Sequence, residues 1–406
     1  MNLGLLGFDD SLAPLLRAAA RAGDRIVLVA DAPPGAVRLQ GARDAAWEDL
    51  LDADRSDAVL VAAGGWSDAR AEAVRKLVQS GRTLLLAQPL ELSMLFAWEL
   101  DMIRKDSGAR LVPILPDRLC PLAAELRAWL DRRDGKVESI ALERRLADRS
   151  RDAVQRQFCR DADLVRALVG PPARLGTLGA AEAEAAWATL AVGLTAPGHP
   201  PARWQASRPG GAALVITAVA GDDTARLEVS QADPDSGVAT WTWSGDGDPV
   251  SLPFDGAAAI LDHLRAMIDG GATAAARTIP AAGWDDAARG VELAETIPRS
   301  LAKGRAVDLH QEEFTEIGTF KGTMASLGCG IVLMALVVIV VATLVAGIAR
   351  QTGWELGERI ANVWPAVVLG AMGLFLALQF LPLLVGPSRG EPPHGRPGDG
   401  GKQGNP

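Results

Sequence analysis

The chain has 406 residues, enough for about two globular domains and an appendage. Hydrophobic residues make up 49% and charged residues 22%, an ordinary balance for a folded chain in which nothing collagen-like or coiled-coil-like dominates. A net charge of -9 with no basic stripe argues against a nucleic-acid partner. The three cysteines, Cys120, Cys159 and Cys329, are widely spaced, and the four histidines are scattered, so neither a disulfide framework nor a metal site is indicated.

In chain order, the first apolar run is 2–6, a strand candidate that ends at Gly7. Ser11 is placed to cap the helix that follows, with Pro14 inside its first turn. Runs 25–30, 58–62, 83–87 and 109–115 read as four more strands, with Asp31 closing the second. A helix capped by Ser67 and a second helix over 93–105 separate the later ones. Continuous apolar strands alternating with amphipathic helices predict a parallel sheet covered on both faces, a Rossmann-like doubly wound domain over 1–117.

Ligands of such sheets lie beyond the carboxyl ends of the strands, so the first turn is the place to look. A dinucleotide fingerprint needs glycines at its first, third and sixth positions. Gly7 supplies the first, but Asp9 and Leu12 stand at the other two. Gly7, Phe8, Asp9, Asp31 and Gln88 are the candidate cofactor residues, Asp31 standing where an acid would hold a ribose hydroxyl. The residues alone leave open whether this is a nucleotide site or only a structural sheet.

From residue 118 the pattern changes. Segments 138–145, 202–207, 213–219, 225–229 and 239–243 alternate apolar and polar residues between Gly-, Pro- and Asp-rich turns, the mark of an antiparallel sheet. Trp204, Trp241 and Trp243 belong to it, as core or as a subunit interface. Segments 257–268 and 284–301 read as helices. The second domain is therefore α+β with an open antiparallel sheet, 118–310, followed by a linker, 311–325.

Segments 326–349 and 361–386 carry no charged side chain. As a helix the first would span about 36 Å, more than a hydrocarbon core of about 30 Å. They are expected to be two transmembrane helices in contact with the lipid bilayer, with a disordered tail at 387–406. The N-terminus lacks the basic region of a signal peptide, so the globular body and the tail are expected in the cytoplasm.

Several segments together resemble one family. Residues 56–62 (SDAVLVA) and 80–90 (SGRTLLLAQPL) resemble its "D-A-V-x-V-A-T-P" and "G-K-H-V-x-x-E-K-P" motifs. Residues 161–170 (DADLVRALVG) resemble its "H-D-x-D-x-x-R-x-L-x-G" helix, and 297–305 its closing helix. This is the Gfo/Idh/MocA family, named for glucose-fructose oxidoreductase and inositol dehydrogenase. The resemblance covers about residues 1–310, and it implies NAD or NADP as cofactor, a sugar or cyclitol as substrate, and a homo-oligomer formed through the antiparallel sheet.

The chain departs from the family at the residues that carry chemistry. The family lysine falls on Gln88, and its histidine and preceding aspartate fall on Arg160 and Arg156; Asp163 is retained. Gln88 carries no charge, and Arg160 is no base near neutrality. The two arginines either hold an anionic ligand in a cleft or pair along the helix with Asp152 and Asp163. Two functions stay open: a membrane-anchored NAD(P)-linked oxidoreductase, or a non-catalytic binding, sensing or assembly module on the same fold.

Overall fold

A computed structural model describes residues 1–33, 41–178, 184–270 and 279–309, together with helical positions Val340, Val341, Thr343, Leu344, Gly347 and Gln351. The chain divides into two units, Met1–Gln311 and Glu312–Pro406.

The first unit opens with a parallel sheet. Its strands are β1 (Asn2–Leu6), β2 (Arg25–Ala30), β3 (Arg43–Asp44), β4 (Ala58–Val61), β5 (Thr83–Leu86) and β6 (Arg110–Pro113), in the order β3-β2-β1-β4-β5-β6. Leu5 sits beside Val29 on one side and Leu60 on the other. All three sit in one apolar core, which is what unbroken apolar strands require when both faces are covered. Helices α1 (Ala13–Arg21), α2 (Asp68–Gln79) and α3 (Met94–Ser107) follow β1, β4 and β5. Ser67 caps α2 as expected, accepting from the Arg70 amide, and Ser93 proves to be the cap of α3, accepting from the Phe96 amide. Ser11 does not cap α1. The helix is entered through a short 3-10 turn whose cap is Asp9.

The second sheet is built from β7 (Ser139–Arg145), β8 (Arg174–Leu178), β9 (Ala191–Thr195), β10 (Ala202–Ser207), β11 (Leu214–Ala220), β12 (Asp223–Val229), β13 (Ala239–Ser244), β14 (Val250–Phe254) and β15 (Val307–Asp308). Its order is β14-β13-β12-β11-β7-β10-β9-β8-β15. It is antiparallel except at its centre, where β7 and β10 run parallel, Leu142 beside Trp204. Such a pair needs a crossover. It is made by α5 (Arg151–Val169) with β8 and β9, while α4 (Pro121–Asp131) precedes β7. Trp129, Trp204 and Trp241 are buried in the core beneath this sheet. Helices α6 (Gly256–Ile268) and α7 (Trp284–Lys303) then return to the first sheet: Ile260, Leu261, Leu264 and Trp284 lie in the first core.

The expectation of a two-span membrane protein is corrected. Among the described residues no helix is long and apolar enough to cross a membrane. Apart from the helical positions named above, 326–349 lies outside the described residues, as do 361–386, the linker 311–325 and the tail 387–406.

Candidate functional site

The site lies at the carboxyl ends of the first sheet, where α5 approaches. It has two halves, and they differ in what fills them.

The first half is the turn after β1. Gly7 adopts a left-handed backbone (φ 74°), and its amide donates to Ala30 O at 2.8 Å. Asp9 then folds its carboxylate back onto backbone donors: Oδ1 accepts from the Ser11 amide at 2.9 Å, and Oδ2 from the Gly64 amide at 2.7 Å. The Ser11 hydroxyl donates to Oδ1 as well. Burial works to raise the Asp9 pKa, but the hydrogen bonds from Ser11 and Gly64 outweigh it and hold the group below the usual carboxylate range.

Arg70, on the first turn of α2, closes this turn from above and is 4% exposed. Its Nε donates to Asp31 Oδ2 at 2.6 Å, Nη2 to Asp31 O at 3.2 Å, and Nη1 to Gly64 O. The guanidinium lies directly on Gly7: a Cβ there would meet its atoms at 2.5–2.9 Å. Asp31 has a left-handed backbone (φ 53°), which turns its carbonyl and carboxylate onto the same guanidinium. Phe8 is half-buried against the first core.

In this arrangement the Ser11 and Gly64 amides already hold the Asp9 carboxylate, and the acid placed for a ribose hydroxyl already holds Arg70.

The second half is open. A cavity of about 280 Å³ is bordered by Gln88, Asp117, Arg144, Gln157, Arg160 and Asp163, among others. Gln88 follows β5 and is 4% exposed. Arg160, on α5, donates from Nε to the Gln88 carbonyl at 2.6 Å. Arg144 is neutralised by Asp161, with contacts at 3.0 and 2.5 Å, and Asp161 also accepts from Gln157 and from the Trp204 indole. Asp163 is gripped by Arg118, Nε to Oδ2 at 2.7 Å and Nη2 to Oδ1 at 2.5 Å. Burial pushes Asp163 up to about 6 even so, while Asp163 and Asp286 outweigh burial to hold Arg118 above its ordinary value; both are charged at neutral pH. The Asp117 side chain is 39% exposed and lies 3.8 Å from Arg144, yet the surrounding protein desolvates it enough to raise its pKa.

The expected residues are thus distributed unevenly. Gln88, Arg160 and Asp163 meet at the cavity, whereas Arg156 pairs with Asp152 at 2.8 Å and reaches the Pro89 carbonyl. Gly7, Asp9 and Asp31 meet around Arg70 instead. Arg70, Arg118, Arg144 and Asp117 were not singled out by the sequence; their roles depend on partners far along the chain.

No family model matches the chain, and no curated protein matches it. Solved structures do. The WlbA dehydrogenase from Bordetella pertussis, in complex with NADH and UDP-GlcNAcA, aligns with a TM-score of 0.60 at 18% identity over 77% of this chain and 98% of its own. An oxidoreductase from Agrobacterium radiobacter, in complex with NAD+, L-tartaric acid and magnesium, gives 0.57 at 14% over 76% and 98%. The transcriptional regulator Gal80p from Kluyveromyces lactis gives 0.57 at 14% over 76% and 94%. Apart from this regulator, the structural neighbours are Gfo/Idh/MocA-type oxidoreductases, and at these identities the likeness establishes that the first unit has their fold.

Proposed function

We propose that this chain is a ligand-binding protein built on the oxidoreductase fold, one that does not perform hydride transfer by the family's route. The observation that carries this reading is the Asp9 carboxylate on the Ser11 and Gly64 amides, with Arg70 over Gly7. A second anion brought to those amides would meet a fixed negative charge at contact distance, and displacing Asp9 would strip hydrogen bonds from a half-buried carboxylate. The cleft supports the same reading. Where a lysine would polarise a substrate oxygen there is Gln88, and where a histidine would take its proton there is Arg160. Gal80p, a regulator of this fold, illustrates that the architecture serves proteins other than enzymes.

A second reading, an NAD(P)-dependent oxidoreductase acting on a sugar or cyclitol, is favoured by the strand order and by neighbours in complex with NADH or NAD+. On that reading the Arg70 side chain leaves the turn when the dinucleotide enters. Titration of the full chain with NADH and with NADPH, followed by tryptophan quenching and melting temperature, separates the two. Ligand at about 100 times its Kd would stabilise the fold by about 2.7 kcal/mol. We expect no shift with either dinucleotide. Saturable binding accompanied by turnover of a polyol would overturn the proposal.

A further inference from the structure

A second cavity, of about 240 Å³, adjoins the cleft at Asp117 and Arg144 and then leads away from α5. Among the described residues, none of α5 borders it. Its apolar walls are Pro14 of α1, Ile114 and Pro116 beyond β6, Ala239 of β13, Phe254 at the end of β14 and Ala257 of α6. All six are half-buried and keep accessible surface. Phe254 packs against both cores, so the cavity lies where the two meet. A stably held water needs about two to four polar partners, and these side chains offer it none.

The polar end of the cavity is Asp117. Its carboxylate is 39% exposed, and Arg144 stands 3.8 Å away, beyond hydrogen-bond reach. Arg144 spends its Nε and Nη2 on Asp161. No described residue donates a hydrogen bond to the Asp117 carboxylate, so its acceptors are open to an occupant. The charges nearby cancel, Arg118, Arg144 and Arg160 against Asp117, Asp161 and Asp163, so no net charge on that occupant is favoured.

We propose that this cavity binds a neutral aromatic molecule with one N–H or O–H donor, its rings among Ile114, Phe254 and Ala257 and its donor on Asp117. The assignment rests on the reading of this chain as a ligand-binding protein and adds the class of ligand. An apolar cavity of about 150 Å³ takes benzene, so one of about 240 Å³ has room for two fused rings. Such a molecule presents an apolar body and one polar tip, which matches apolar walls that end in one carboxylate. A sugar or cyclitol does not match, because most of its hydroxyls would face apolar side chains without a partner.

The test is calorimetric titration of the full chain with indole and with N-methylindole, which lacks the N–H. Indoleacetate and tryptamine, which add a charge of either sign, complete the set. Indole should bind about tenfold or more tighter than N-methylindole, as expected for a hydrogen bond to a charged acceptor. Asp117→Ala should erase that preference. Ala257 borders this cavity and not the cleft, so Ala257→Leu fills the one and leaves the other; it should abolish indole binding. Unliganded melting curves show whether each variant is folded, and the comparison of indole with N-methylindole needs no variant. No indole binding at millimolar concentration, equal binding of N-methylindole, tighter binding of either charged analogue, or undiminished binding in a folded Ala257→Leu would each overturn the assignment. The NADH titration is read separately. Indole binding alongside NADH turnover would keep this site and sink only the non-catalytic reading, whereas binding of neither would sink only this site.

Discussion

Arg70 and Asp31 are joined at 2.6 Å across the mouth of the first turn, a guanidinium 4% exposed holding a carboxylate that is 51% exposed. Because Asp31 keeps access to water, the pair is worth far less than a fully buried one. Arg70→Ala also removes the bonds to the Asp31 and Gly64 carbonyls, and we expect a loss of about 1–3 kcal/mol, read from the urea midpoint. The same variant weighs the two functional readings. With Asp9 still on its amides, Arg70→Ala alone should not create NADH binding, whereas the second reading requires NADH to bind more tightly once the guanidinium is gone.

Asp163 should impose an unusual pH dependence on stability. Burial raises it from 3.8 to about 6, against the pull of Arg118. Between these values the unfolded chain gives up a proton that the folded chain keeps, so this group's contribution is complete below about pH 4 and is lost as pH rises through about 6. At about 1.4 kcal/mol per pKa unit the loss is roughly 3 kcal/mol. The stability of the wild type minus that of Asp163→Asn should therefore fall from pH 4 to pH 6.5. A difference that is flat or rises with pH would contradict the assignment.

Cys120 and Cys159 should be unreactive in the native state. Desolvation raises the first thiol to about 11 and the second to about 12, and both side chains are buried. At pH 8 at most about one part in a thousand of such a thiol is thiolate. In a Cys329→Ser background, a thiol reagent should label neither cysteine until denaturant is added. Stoichiometric labelling of Cys159 in the folded protein would show that α5 opens readily.

Gly290 marks a close approach of α7 to α5. A Cβ there would lie 2.8 Å from the Cys159 carbonyl oxygen, which is backbone and cannot turn aside. Gly290→Ala gains about 1 kcal/mol of helix propensity but suffers about 1–3 kcal/mol of overpacking. The expected result is a lower melting temperature, although alanine is the better helix former. A higher one would mean that the two helices separate at little cost.

Much of the fold was legible in the sequence because its signals are local. The runs 3–6, 26–30 and 84–86 carry no polar side chain, and each lies in a strand of the first sheet. Strands β8 and β9 escaped notice because Gly176 and Gly193 interrupt them, and β14 because Pro253 sits in an exposed edge strand with no alternation. The parallel β7–β10 pair was not readable, since register is set between segments and not within them. The site divides in the same way. Gln88 and Arg160 were found because their motifs have fixed local spacing. Arg70 and Arg118 were missed because they gain their roles from Asp31 and Asp163, 39 and 45 residues away.

The return of α6 and α7 to the first sheet also dictates when that sheet is finished. Its core includes Ile260, Leu261, Leu264, Trp284 and Ala288. A nascent chain that has emerged only as far as β6 therefore presents an apolar flank with nothing to cover it. Synthesis at about 5–20 residues per second leaves that flank bare for on the order of ten seconds or more. A truncation after β6 should therefore partition into aggregates unless chaperones are supplied.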